Sequence, residues 1–143
     1  MDQERPFSQV LRRLRGVGLR PTRQRLVLAK LLFADNEGRH ISAEKLHEEA
    51  LAAEAKVSLA TVYNTLHQFT DAGLLREIVV DSGRTYFDTN TSNHYHFFIE
   101  EEGDLIDVPA DAVPLTRLPP PPAGKKIARV DVVIRLADSD QAS

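Results

Sequence analysis

The stretch that most constrains this chain is Val57-Ser-Leu-Ala-Thr-Val-Tyr-Asn-Thr-Leu-His-Gln-Phe-Thr-Asp-Ala-Gly-Leu-Leu75. It carries the start, body and stop of one helix. Ser58 can accept from the unpaired backbone N–H groups of a first turn. Gly73 can take the left-handed conformation that closes a helix and that side chains resist. Between them Leu59, Val62, Leu66 and Phe69 recur at helical spacing and predict one buried stripe. The other face holds Ala60, Thr61, Tyr63, Asn64 and His67, which are small, hydroxylated, amide or aromatic and nearly uncharged. A water-facing helix more often carries Lys and Glu there. A helix entering a DNA major groove suits this set, because Asn and Tyr reach base edges and Ala or Thr touch thymine methyls. An ordinary amphipathic core helix is the competing reading.

With 143 residues, 42% hydrophobic and 27% charged, the chain fits one globular domain or two small ones. It contains no Cys, which excludes disulfides, thiolate metal sites and thiol nucleophiles. No apolar run is long enough to span a bilayer and no signal-peptide pattern follows Met1, so we expect a cytoplasmic protein with no membrane partner. The net charge of −3 is unpromising for a DNA binder, but it is unevenly spread. Residues 1–25 carry seven Arg against Asp2 and Glu4, whereas residues 89–143 carry nine acidic and five basic side chains. A basic front and an acidic back suit a protein with one nucleic-acid face.

Residues 7–15 predict a short helix with Phe7, Val10, Leu11 and Leu14 on one side, ended by Gly16 and Gly18. Pro21 stands where the first position of a second helix is expected. That helix should run to about Phe33, with Leu26, Ala29, Leu32 and Phe33 inward. Asp35-Asn36-Glu37-Gly38 reads as a turn. Ser42 should cap a third helix ending near residue 55, and the helix after Ser58 is the fourth. Leu74–Val80 and Arg84–Thr89, joined by Asp81-Ser82-Gly83, predict a hairpin. Three helices and then a hairpin is the order of a winged helix, in which the last helix enters the major groove and the wing lies by the backbone. Arg84 at the wing tip is placed for a phosphate.

The character of the chain changes near Asn90. His96–Glu100, Leu105–Val108 and Ile127–Leu136 predict three strands, and Pro114–Gly124, with five of the eight prolines, predicts an extended loop. So small a segment buries little by itself, which predicts pairing with a second copy. From Ala137 onward a frayed tail is expected. The fold class expected is therefore α+β: a winged helix-turn-helix DNA-binding domain over residues 1–89, then a small α/β dimerisation domain over residues 90–143.

Two residues apart on a strand, His94 and His96 point to one face and can approach one ion. His40, Asp88 and Asp107 are uninformative singly. No phosphate-binding Gly loop, His-Glu-x-x-His helix or nucleophile elbow is present, so we expect no enzyme. A hydrolase using a metal on His94 and His96 is the remote alternative.

Several segments together resemble the ferric uptake regulator family of dimeric, metal-controlled winged-helix repressors. Gly18-Leu-Arg-Pro-Thr-Arg-Gln-Arg25 is similar to a conserved segment of that family, His40-Ile-Ser-Ala-Glu44 to the opening of its third helix, and Ser58-Leu-Ala-Thr-Val-Tyr-Asn-Thr-Leu66 to its recognition helix. The resemblance covers roughly residues 7–136. It is strongest to the iron response regulator branch of alphaproteobacteria, through Tyr63–Phe69, Thr89–Phe98 and Arg129–Val133. Those relatives also lack the Cys-based structural zinc site, which this chain cannot form. They carry three His in a row where this chain has His94-Tyr95-His96, and some carry a Cys-Pro haem motif that is missing here.

By this resemblance, Tyr63 and Asn64 would read base edges with Ala60 and Thr61 beside them, Arg20 would reach the minor groove, and Arg84 would anchor the backbone of an operator duplex. The metal site between the domains would use His40, Asp88, His96 and Asp107. Mixed nitrogen and oxygen donors suit Fe²⁺, Mn²⁺ or Zn²⁺ without choosing among them. The family's second metal site is expected to be lost, with Tyr95 at its motif Asp and Val132 near its C-terminal His. Haem is a further candidate ligand at His94, Tyr95 and His96, and a haem-biosynthesis protein a further partner. The implied function is a homodimeric regulator of iron- or haem-responsive genes. The implied mechanism is an ion that fixes the angle between the domains. A peroxide sensor, oxidised at His40 or His96, and a manganese or zinc sensor are the alternatives within the family.

Overall fold

Four short helices lead into two three-stranded sheets in a computed structural model that describes residues 7–34 and 38–140. The elements are α1 (Ser8–Gly16), α2 (Arg23–Phe33), β1 (His40–Ile41), α3 (Ala43–Ala52), α4 (Leu59–Asp71), β2 (Arg76–Asp81), β3 (Arg84–Asp88), β4 (His94–Ile99), β5 (Asp104–Pro109) and β6 (Val133–Leu136), with a 3₁₀ turn at Ala110–Ala112. They divide into two compact units, Met1–Thr91 and Ser92–Ser143. Among the described residues no helix is long and apolar enough to cross a membrane.

The first unit is built around α4. Ser58 caps it by accepting from the Thr61 N–H at 3.1 Å. At the other end the Leu74 N–H donates to the Phe69 carbonyl at 2.9 Å, around Gly73 at φ +87°. That bond closes the helix only because Gly73 accepts a positive φ without strain. Val62, Thr65, Leu66 and Phe69 form the buried stripe. Leu59, expected in it, is 37% exposed. It is the first helical residue and lies ahead of the turn against which its stripe partners pack, while Thr65, three residues past Val62, fills the seam instead. Leu14 from α1, Leu28 and Leu32 from α2 and Leu46 from α3 pack on α4 in one core with Phe87 of β3. The rings of Phe33 and Phe69 lie 6.4 Å apart.

Thr22 caps α2, accepting from the Arg25 N–H at 3.2 Å. Pro21 therefore precedes the cap rather than opening the helix, since a hydroxyl can satisfy a free N–H and a pyrrolidine ring cannot. Ser42 caps α3 as expected, and that helix ends at Ala52, three residues early. Part of the turn expected at 35–38, residues 35–37, lies outside the described residues, as does the end of the tail, residues 141–143.

The wing hairpin forms from β2 and β3, and the short β1 adds a third antiparallel strand in the order β1-β3-β2. β1 is two residues long and carries no alternation to be read. Its consequence is a register: His40 and Arg76 both stand opposite Asp88, one on each side of β3.

The second unit is a sheet of order β5-β4-β6, with β5 antiparallel and β6 parallel to β4. The β-rich run Ile127–Leu136 gives a strand only from Val133. Register explains the truncation as far as Val130. Val133 pairs with His96, so residues 127–130 would lie opposite residues 90–93, before β4 begins. Pro114–Pro122 forms neither helix nor strand.

Candidate metal centre and DNA-facing surface

The described residues that offer clustered metal-ligating atoms are His40 and Asp88 in the first unit and His94, His96 and Asp107 in the second. In the first, the β1–β3 register sets His40 Nε2 3.2 Å from Asp88 Oδ2. Arg39 N–H donates to Thr89 Oγ1 at 2.9 Å and Thr89 N–H to the Arg39 carbonyl at 3.0 Å, which zips the two segments together just beyond the pair. The Asp88 carboxylate is fully buried and its Oδ1 accepts from the Asn90 N–H at 2.9 Å. A charge taken out of water needs compensating cations or donors. Buried Arg76, directly across the strand pair, supplies one positive charge nearby.

In the second unit β4 supplies His94 and His96, and β5 supplies Asp107 opposite His96. Nε2 of His94 and of His96 lie 3.4 Å and 3.6 Å from the same Asp107 Oδ1. The two imidazoles are buried and their rings are 4.6 Å apart. His94 Nδ1 stands 2.7 Å from the Ser92 carbonyl. A carbonyl only accepts, so Nδ1 carries a proton there and Nε2 is the ring atom left facing Asp107. Two imidazole nitrogens and a carboxylate oxygen brought this close need a cation or a proton between them. The donor atoms of this trio lie within 4.8 Å of one another, a spread that fits ligands of one divalent ion.

The family resemblance put His40, Asp88, His96 and Asp107 in the metal set and left His94 to haem, while the His-x-His spacing alone allowed His94 and His96 to approach one ion. The structure puts His94 on the same ion-sized cluster as His96. The two-residue spacing carried that signal. Tyr95 points to the other face of β4, where it lines a cavity together with Leu115, Leu118 and residues 127–130. The three expected haem ligands therefore do not share a face, and one iron can meet either Tyr95 or the His pair, because alternate strand residues point oppositely.

On α4, Ala60, Tyr63, Asn64 and His67 are exposed and Thr61 is half-buried. Asn64 makes no side-chain hydrogen bond among the described residues, so both its amide groups are available. The Thr61 hydroxyl accepts from Ser58 Oγ at 3.0 Å and is part of the cap. The Tyr63 hydroxyl donates to the Glu44 carboxylate of α3, at 2.7 Å and 2.9 Å from its two oxygens. That bond is the main cause that raises the Tyr63 pKa above its ordinary value, followed by burial and the Glu44 charge. Glu44 had no assigned role beyond the first turn of α3, because its partner lies 19 residues away. Arg84 is held in the hairpin by Asp81, with Nε 2.9 Å from Oδ2. Arg20 is exposed in the segment between α1 and α2.

A sequence model described as the Ferric uptake regulator family matches residues 16–117. The peroxide-responsive repressor PerR of Staphylococcus aureus is 31% identical over 104 residues, covering 73% of this chain and 69% of that protein. The ferric uptake regulator of Pseudomonas aeruginosa, solved with manganese, superposes with a TM-score of 0.67 at 27% identity, covering 89% of this chain and 96% of that one. That of Vibrio cholerae gives a TM-score of 0.68 at 24% identity, covering 88% and 97%.

Proposed function

Since the chain belongs to the ferric uptake regulator family, whose members are metal-responsive transcription regulators that bind DNA and act as dimers, we propose that it is a homodimeric, sequence-specific DNA-binding regulator of iron- or haem-responsive genes, with operator affinity set by one divalent ion. The observation that carries this reading is the convergence of His94 and His96 Nε2 on Asp107, with Ser92 orienting the first ring. We assign His40 and Asp88 to the same ion, which would then meet three imidazoles and two carboxylates. Support comes from connectivity: His94 follows Asp88 by only six positions, a reach of at most about 20 Å. An ion held by donors of both units favours one arrangement of them, and only such a difference in affinity can shift the population. Three nitrogens and two oxygens suit Fe²⁺ or Mn²⁺, and Zn²⁺ less well, since zinc prefers four ligands.

Base reading is assigned to Asn64 and Tyr63, with Ala60 and Thr61 beside them, to Arg20 in the minor groove, and to Arg84 on the backbone. The exposed apolar side chains of Ile106, Leu115, Leu118 and Ile127 in the second unit support pairing of two copies there. Haem is the weaker ligand, since Tyr95 and the His pair lie on opposite faces of β4. The decisive experiment measures operator binding with and without Fe²⁺, Mn²⁺ and haem, for wild type and His96→Ala. A metal response in wild type that vanishes in the variant is expected; identical responses would refute the site. In parallel, Asn64→Ala should lose discrimination between operator and scrambled duplex.

A second reading, response to peroxide, is favoured by the name of the Staphylococcus aureus relative. Mass spectrometry of the Fe²⁺-loaded protein after peroxide would then find added oxygen on His40 or His96, and unmodified peptides would dismiss it.

A further inference from the structure

Arg25 stands in the first turn of α2, half-buried, and its guanidinium is divided between two elements. Nη1 donates to the backbone carbonyl of Arg20 at 2.8 Å. Nε and Nη2 donate to Oε1 of Gln68 at 3.2 Å and 3.0 Å. Gln68 lies on α4 four residues beyond Asn64, one turn along the same side of the helix. One planar group therefore links the backbone that carries Arg20 to the helix that carries Asn64 and Tyr63.

Among the described residues, the rest of the Arg20 segment is anchored at its ends. The Leu19 N–H donates to the Leu14 carbonyl at 2.9 Å, and Gly18, at φ +78°, makes the turn out of α1. Thr22 begins the cap of α2. Between these anchors the Arg20 carbonyl is held by Arg25. The Arg20 side chain is exposed and makes no hydrogen bond or ion pair among the described residues. Its backbone is thus fixed while its guanidinium stays available.

We propose that Arg25 is a positioning residue, which sets the offset between the Arg20 backbone and α4 so that a minor-groove contact and the major-groove contacts fall in register on one duplex. The inference rests on the reading of α4 and Arg20 as DNA-contacting. In a duplex the spacing between adjacent grooves is fixed, so a reader delivered on a loose segment loses affinity to ordering. The fork geometry matters. An Arg presents donors on two edges at set angles, whereas a Lys offers one point charge and cannot hold both acceptors with the same geometry.

The test uses a duplex selected by the wild-type protein from a randomised pool, with Mn²⁺ present. In two further copies the A·T pairs flanking the α4 footprint become G·C or inosine·C. G·C adds a minor-groove amino group; inosine·C removes it while keeping the major-groove edge of G·C. Wild type should prefer inosine·C over G·C by about tenfold, the scale of one good base contact. Arg20→Ala, Arg25→Met and Gln68→Ala should each reduce that ratio to about twofold or less, with Arg25→Lys between. Discrimination at base pairs under α4 should persist in Gln68→Ala, and its melting temperature should match wild type. Gln68→Ala changes an exposed side chain, so it carries the test if Arg25→Met does not fold. Undiminished flank discrimination in Gln68→Ala, with loss in Arg20→Ala, would overturn the strut and leave the Arg20 reading intact. No flank discrimination in wild type would overturn both.

Discussion

Tyr63→Phe should leave operator binding nearly intact, whereas Tyr63→Ala should not. The reason is where the hydroxyl already is. It donates to both oxygens of Glu44 at 2.7 Å and 2.9 Å, so turning it toward a base would break a charge-assisted bond. What the residue can offer a major groove without that loss is its ring. Packing about 50 Å² of ring against a thymine methyl is worth roughly 1.3 kcal/mol, or about tenfold in affinity. Deleting the ring should therefore weaken the operator complex about tenfold, and deleting only the oxygen about threefold or less. The bond is exposed and screened, so its loss should cost the fold less than about 1 kcal/mol. The assay is fluorescence anisotropy of the selected operator at fixed salt for wild type, Tyr63→Phe and Tyr63→Ala. A pH titration supplies an independent check. The tyrosinate pKa in the folded protein is raised, chiefly by the bond to Glu44. The stabilisation is thus fully present below the unfolded value near 10 and is lost as pH rises through the folded one. Glu44→Gln should move the ultraviolet titration of Tyr63 back down. If Tyr63→Phe lost as much affinity as Tyr63→Ala, the hydroxyl would be shown to leave Glu44 for a base, and the ring-only argument would fail.

Mn²⁺ at about 100 times its dissociation constant should raise wild-type stability by about 2.7 kcal/mol and should raise that of Asp107→Ala far less, read by calorimetry. Phe69→Ala empties the centre of the first core and should cost about 3–5 kcal/mol in urea unfolding, with wild-type metal response in whatever remains folded. Asp81→Ala releases Arg84 and removes a negative charge beside it. Binding to operator and to scrambled duplex should strengthen alike, with a steeper salt dependence; strengthening of the operator alone would place Arg84 on a base.

Much of the first unit was legible because its signals are local. Caps at Ser42 and Ser58, the stop at Gly73 and the stripe through Val62, Leu66 and Phe69 act within one or two turns. The misreadings arose where a longer-range partner decides. β1 is two residues long, and only pairing with β3 makes it a strand. Residues 127–130 have the composition of a strand but no strand to pair with at that register. Of the proposed metal donors, His94 and His96 announce themselves by spacing. His40, Asp88 and Asp107 meet their partners through cross-strand registers, His40 opposite Asp88 and Asp107 opposite His96, which no local pattern encodes. Gln68 and Glu44 were passed over for the same reason, since each acts through a residue on another helix.

The alternation of β4 also bears on how such a protein can change over generations. His94 and His96 look one way, and Tyr95 between them looks toward Leu115, Leu118 and residues 127–130. A substitution at position 95 acts directly on that second surface, on the side of the strand away from the imidazoles. The middle letter of the His-Tyr-His triplet therefore answers to whatever covers that side, while its neighbours answer to Asp107 and to the proposed ion. Lineages with different middle residues can share one metal chemistry, and kinship in sensing is better judged from the outer pair and Asp107 than from the triplet as a word.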